Sequence, residues 1–337
     1  MKKVTIISGA AGMTGCATAE KLLARGEWVV GFDNFFAGSR ADVDRLAGQA
    51  RFKFFEYDLT RAADMDALFA FVRREFPAAD SRLAFLNCAA VVHTKHFYHP
   101  DDTFGVNVTG MRDSLERAIA AGCRTYVNCS TSEVYSMKSW EAGGVREESP
   151  VLVATAEQSL RTSYATGKLL TEFFLRDAVE RGRIRGCSIR FANVYSPTEA
   201  HDSHIIPYAI SSLLRTGGIT LLENARGTQR SFLHNSDSCA AVVRLLDTDA
   251  ALDGTIYNVG TPDEIGIVEL VELIAKLLGL PRADIRFEGV RTADPARRLL
   301  NTAKIRAATG WTPEIPLEEG LRQCIAFWRQ GAKGGAA

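Results

Sequence analysis

The chain carries no excess charge of either sign: 40 Lys and Arg stand against 40 Asp and Glu. A polyanion binder concentrates basic residues on one face, so this balance argues against a nucleic-acid or membrane-surface protein and leaves any basic site local. No apolar run approaches the ~20 residues of a membrane span, and a soluble protein is expected. No CxxC pair occurs among the seven cysteines. Their odd number and scatter (Cys16, Cys88, Cys123, Cys129, Cys187, Cys239, Cys324) suit small buried hydrophobes in a reducing compartment. Lys2 and Lys3 begin like a secretory signal, but the apolar stretch behind them stops at Gly9, so a cytoplasmic location is expected. Repeats and low-complexity segments are missing apart from the tail Gly334-Gly335-Ala336-Ala337.

What is present is a length of 337 residues, enough for two domains or one large α/β unit. In the first half, β-rich runs (Val4 to Ser8, Trp28 to Phe32, Phe52 to Tyr57, Leu83 to Asn87, Thr125 to Cys129, Cys187 to Phe191) alternate with amphipathic stretches. These stretches, Thr14 to Arg25, Ala62 to Arg74, Asp102 to Ala121 and Tyr164 to Arg181, space apolar residues by three and four, as helices packed on a sheet require. Gly26, Gly122 and Gly182 follow three of them, where a left-handed cap is wanted. The pattern predicts an α/β protein with a doubly wound parallel sheet, Rossmann-like. After residue 195 the rhythm breaks into Pro- and Gly-punctuated pieces, with helices near Val268 to Leu278 and Leu317 to Trp328. A smaller α/β C-terminal lobe is expected there.

Gly9-Ala10-Ala11-Gly12-Met13-Thr14-Gly15 follows the first strand and opens the first helix. Glycines at this point let the backbone approach a pyrophosphate resting on free helix N–H groups. Asp33 ends the next strand, where a carboxylate accepts from a ribose diol and repels a 2′-phosphate, so NAD is favoured over NADP.

The GxxGxxG spacing resembles that of the extended short-chain dehydrogenases/reductases, and Val30-Gly31-Phe32-Asp33-Asn34-Phe35-Phe36-Ala37-Gly38 is similar to the second-strand segment of their nucleotide-sugar epimerases and decarboxylases. The resemblance places Asp58-Leu59 beside adenine and puts Asn34 with the cofactor. It makes Asn87-Cys88-Ala89-Ala90 a cofactor-lining strand end, with Ala89 and Ala90 in contact, and matches Asn107-Val108-Thr109-Gly110 to the Asn-Val-x-Gly of the following helix. It implies an NAD-binding domain over residues 1–180. Residues 181–331 are then mainly a nucleotide-sugar lobe, with some segments returning to the first domain.

Tyr164-Ala165-Thr166-Gly167-Lys168 sets a phenol and an ammonium one helical turn apart. An ammonium about 4 Å away at an effective dielectric of 20 contributes roughly 4 kcal/mol, about three pK units, and would bring the phenol toward neutral pH. Strand five ends in Ser130-Thr131-Ser132-Glu133-Val134-Tyr135, where an open parallel sheet presents side chains to its ligand. By resemblance Thr131 matches the catalytic Ser/Thr, and Glu133, after Ser132, matches the Thr-Ser-Glu of uronate decarboxylases and some 4,6-dehydratases. Glu133 could remove a sugar C5 proton or merely pair with a neighbouring base.

In the second half, Arg190-Phe191-Ala192-Asn193-Val194-Tyr195-Ser196-Pro197 resembles the family's RxxNVYGP turn, whose Asn contacts the substrate diphosphate. Gly227-Thr228-Gln229-Arg230-Ser231-Phe232 resembles its GxQxRDF segment. Arg291-Thr292-Ala293-Asp294 resembles its RxxD, with the arginine on the diphosphate and the acid near the ribose. Ser231, Ser196 and Gly167 depart from the usual Asp, Gly and Ser. His93, His96 and His99 lack the spacing of a zinc site and no metal is expected; the resemblance puts their loop beside the nicotinamide.

The reading is an NAD-dependent nucleotide-sugar enzyme, a UDP-sugar being favoured, in which Tyr164, assisted by Thr131 and Lys168, takes the C4 hydroxyl proton as C4 is oxidised. A 4-epimerase of a UDP-hexose or UDP-hexuronate ranks first, a UDP-glucuronate decarboxylase second and a 4,6-dehydratase third. A sensor that binds NAD without turnover is the alternative from another class. The resemblance also implies a homodimer through the helices at Asp102 to Ala121 and Tyr164 to Arg181.

Overall fold

The computed structural model describes residues 1–334 apart from 93, 136–141, 200–203 and 292–294, with the side chains of 94, 95 and 331–334 also left aside. Its centre is one seven-stranded sheet. The strands are β1 (Lys2–Ser8), β2 (Trp28–Asp33), β3 (Phe52–Glu56), β4 (Ser81–Asn87), β5 (Thr125–Thr131), β6 (Arg185–Phe191) and a last strand, Asp253–Val259. Their lateral order is last strand, β6, β5, β4, β1, β2, β3, and every adjacent pair runs parallel. Both faces are covered, so the strands read as near-continuous apolar runs. In β1, Val4 and Ile6 join the core on one side and Ile7 the core on the other. The strand order reverses between β1 and β4, and the crevice beyond their carboxyl ends is the place where such a sheet binds ligands.

The six expected strands and the helices α1 (Met13–Ala24), Ala62–Glu75 and Thr162–Glu180 appear within a few residues of their predicted bounds. Gly26, Gly122 and Gly182 adopt φ of +76°, +82° and +67° as left-handed caps. The stretch expected as one helix over Asp102 to Ala121 is instead built of Pro100–Phe104, a π-helical turn Gly105–Gly110, and Met111–Ala120. In the widened turn Asn107 Oδ1 accepts the Val91 N–H at 2.8 Å, an interaction the 3.6-residue pattern does not foresee.

A separate apolar core surrounds the helices Ile205–Thr216, Ile267–Leu278 and Leu317–Gly334. The chain crosses between this lobe and the sheet more than once. Helix Asn235–Asp247 packs on α1, where Asn235 Nδ2 donates to the Met13 carbonyl at 3.0 Å, and the last strand then lies beside β6. Among the described residues no helix is long and apolar enough to cross a membrane.

Candidate active site

Two clefts open at the carboxyl ends of the strands and share Met13, Thr14, Cys88, Ala90, Val92, Glu199 and His204. The first, about 720 Å³, is lined by Gly9, Gly12, Met13, Thr14, Gly15, Asp33, Asn34, Asp58, Leu59, Ala89 and Ala90. Close approach explains two glycines here. A Cβ on Gly9 (φ +70°) would lie 2.7 Å from the Ala89 nitrogen, and one on Gly15 would lie 2.1 Å from the Gly9 carbonyl oxygen. Asp33 accepts the Ala11 and Phe35 N–H groups at 3.1 and 2.7 Å, one on each oxygen, which leaves further lone pairs facing the cleft. Burial raises its pKa against these bonds. Asn34 Nδ2 donates to Asp58 at 3.0 Å, joining the ends of β2 and β3. Burial alone would raise Asp58, but hydrogen bonds from Thr60 and Asn34 hold it below its ordinary value. A bare backbone turn at a helix start, beside a carboxylate suited to a diol, fits a dinucleotide. Asn107 lies behind this wall and supports it through Val91.

The second cleft, about 510 Å³, holds Thr131, Glu133, Tyr164, Lys168, Asn193, Arg230 and Arg291. Tyr164 and Lys168 are buried on the helix Thr162–Glu180, and Thr131 is buried at the end of β5. Thr131 stands close enough to the Tyr164 hydroxyl to favour its ionised form. The expectation that Lys168 lowers the phenol pKa is corrected: burial pushes Tyr164 up and the Glu133 charge adds to this, while Thr131 and Arg161 act the other way. Lys168 is itself lowered by burial, because a buried ammonium has lost its water. Ser132 is buried outside both cleft walls. Asn193 Nδ2 donates to the Ser231 carbonyl at 3.2 Å, and Arg230 donates to the Gln229 carbonyl at 2.8 Å. Asp294 and His93 lie outside the described residues. His96 bonds Asp102 at 2.7 Å on the rim of the first cleft.

Three residues of this cleft escaped the sequence reading. Arg161 stands one helical turn before Tyr164, and its guanidinium grips Glu133 with bonds of 2.9 and 3.2 Å. Arg298 reaches the same carboxylate at 2.7 Å. The short strand Arg297–Arg298 pairs with Gln229–Arg230, so alternation sends Arg297 to Glu264 and turns Arg298 inward beside Arg230. The third is Phe97, whose ring stacks on Tyr164 at 4.0 Å. The i, i+3 spacing of Arg161 and Tyr164 was a readable signal; nothing local marked Arg298 or Phe97. Burial would raise Glu133, but Arg298 and Arg161 bring it down to about 2.

The sequence profile of the NAD dependent epimerase/dehydratase family matches residues 5–260. The chain belongs to this family. Its cofactor is NAD, and the glycine loop, Asp33 and Asp58 are the residues suited to hold it. Among curated relatives, UDP-glucuronic acid decarboxylase 1 of Arabidopsis thaliana is 28% identical over 335 residues, covering 96% of this chain and 69% of that protein. Among solved structures, UDP-glucose 4-epimerase of Thermus thermophilus, complexed with NAD, superposes with a TM-score of 0.77 at 25% identity over 99% of this chain and all (100%) of that one. The dTDP-glucose 4,6-dehydratase of Streptomyces venezuelae, with NAD bound, has the same fold at a TM-score of 0.84 and 24% identity, covering 98% of both chains.

Proposed function

We propose that this family member is a decarboxylase of a UDP-hexuronate such as UDP-glucuronate. One observation carries the reading: in the cleft that Tyr164 lines, Arg298 is buried with its Nε and Nη2 lacking any hydrogen-bond partner among the described residues, while its Nη1 holds Glu133. A buried guanidinium with free donors suits a carboxylate, and a hexuronate brings one at C6, two bonds from the oxidised C4. The named decarboxylase relatives point the same way.

Tyr164, beside Thr131, takes the C4 hydroxyl proton in its phenolate form; burial opposes that form, so it depends on positive charge brought to the site, from Lys168 on the same helix face and from the cofactor. Bound in the first cleft, NAD would supply the two-electron oxidation of C4 and its later reversal, and a positive charge. A C4 ketone makes the uronate a β-keto acid. The C5–C6 bond then breaks with its electron pair delocalised into the ketone, carbon dioxide leaves, and C5 takes a proton. Arg298 and Arg161 hold the carboxylate in position until it departs. Glu133, ionised and locked between two arginines, is a weak base at neutral pH, which disfavours the C5 proton abstraction of a dehydratase. The epimerase ranked first from sequence has no use for these arginines unless its sugar also carries a carboxylate.

NMR of UDP-glucuronate incubated with the enzyme is the test. The expected product is a UDP-pentose with loss of C6 as carbon dioxide. A C4-inverted uronate that keeps its carboxylate would replace this reading with a uronate epimerase, and turnover confined to neutral hexoses would overturn it. We also propose a homodimer. Phe104 and Phe173, 57% and 64% exposed, with Leu170, lie on the two helical segments expected to meet a second copy.

A further inference from the structure

Five of the seven cysteines are buried in the cores away from both clefts. The other two stand together in the catalytic cleft, and the mechanism above does not use them. Asn87 of β4 and Asn128 of β5 are in parallel register, so Cys88 and Cys129 follow as the next pair across the two strand ends. Neighbouring strands lie about 4.7–4.9 Å apart, inside the roughly 4.4–6.8 Å between Cα atoms that a disulfide spans. The two Sγ atoms are already 3.5 Å apart. Cys88 lines both clefts and Cys129 the second, and the Lys168 ammonium acts on both thiols.

We propose that Cys88 and Cys129 are an oxidisable dithiol, a modification site in the floor of the catalytic cleft whose disulfide stops turnover. The oxidant is a low-molecular-weight disulfide. One cysteine, as thiolate, attacks it and releases one small thiol; the second cysteine then displaces the other. Two S–H bonds are lost, one protein S–S bond forms, the oxidant is reduced to two thiols, and these take up the two protons. The hydrogen bond with Cys129 and burial both raise the Cys88 thiol, so Cys88 is slow to attack an oxidant. Closing Sγ to Sγ from 3.5 Å to about 2.05 Å rotates both side chains out of their reduced positions at the tips of β4 and β5. The next residues along are Ala89 and Ala90 on the cofactor side and Ser130 and Thr131 on the catalytic side, so the bond distorts both walls at once.

The experiment treats the full-chain holoenzyme with oxidised glutathione over a range of oxidised-to-reduced ratios and follows intact mass, non-reducing peptide maps and turnover. The expected result is a loss of two hydrogen atoms, a Cys88–Cys129 linked peptide, and turnover falling by about 10²-fold, the scale of an ångström misplacement, then returning with dithiothreitol. Cys88→Ser and Cys129→Ser should each abolish the link and its inactivation. A stable glutathione adduct, a link between other cysteines, seven thiols still free at every ratio, or full turnover by the linked enzyme would each overturn the proposal. The mass readout does not depend on which sugar nucleotide is the substrate, so its failure is separable from failure of the decarboxylase reading.

Discussion

At the scale of single residues, the site works by placing charge where burial would otherwise forbid it. With Tyr164 as the proposed proton acceptor, Tyr164→Phe should lower turnover by about 10²–10⁴-fold while NAD stays bound, which turnover and a cofactor titration together check. Glu133 makes a second prediction. Its folded pKa of about 2 lies below the roughly 4.3 of an unfolded glutamate, so the folded state gains stability at pH values above the unfolded value. That gain, on the order of 3 kcal/mol, is lost as pH falls from about 4 toward 2. Urea midpoints of the wild type should therefore drop more steeply across this range than those of Glu133→Gln, and parallel slopes would contradict the pairing. Arg161 was legible as a neighbour of Tyr164 on one helix face. Its partner was not, because 28 residues separate Glu133 from Arg161 and 165 separate it from Arg298.

At the scale of elements, the catalytic helix is oriented by a buried ion pair behind the site. Arg190 at the end of β6 binds Glu172 two turns beyond Tyr164 through Nε and Nη2, at 2.9 and 2.6 Å. Ser130 also donates to Glu172, and Arg190 reaches the Tyr135 hydroxyl, so helix, β5 and the turn after it share one network. Breaking one partner of such a pair costs about 3–5 kcal/mol, whereas replacing both with apolar side chains is often neutral. Glu172→Gln should thus destabilise the enzyme strongly, and the double variant Glu172→Met with Arg190→Met should recover most of the loss in denaturant midpoint without recovering turnover. The strand and helix positions themselves were plain in the sequence, since periods of two and 3.6 mark each segment by its own residues. The π-helical turn at Gly105–Gly110 was not, since Asn107 is drawn out of the regular spiral by the backbone of Val91, a partner 16 residues away.

At the scale of the whole molecule, the neutral chain brings four arginines to one cleft, where Arg161, Arg230, Arg291 and Arg298 converge from the start of the Tyr164 helix and three separate segments of the C-terminal half. The two clefts meet at Met13, Thr14, Cys88 and Ala90, so ligands held in the two would adjoin there, with Tyr164 in the wall of the second. The proposed dimer uses the opposite side of the same catalytic helix. Phe173→Glu would bury a charge in that contact, and sedimentation should show a shift from dimer to monomer with the fold retained by circular dichroism. A wild-type monomer at every concentration would refute the contact.

The sequence by itself determined the sheet, the glycine loop with Asp33, and the Tyr164–Lys168 pair, because each is written in residues close together in the chain and obeys a local period or turn rule. Only the tertiary structure decided the electrostatics of the site. Strand pairing sets Arg298 beside Arg230, helix docking stacks Phe97 on Tyr164, and parallel register brings Cys88 to Cys129. The cost of removing a charge from water depends on what surrounds it after folding. That is why the phenol rises when its lysine neighbour suggested a fall, and why Glu133 stays ionised where burial alone would have protonated it.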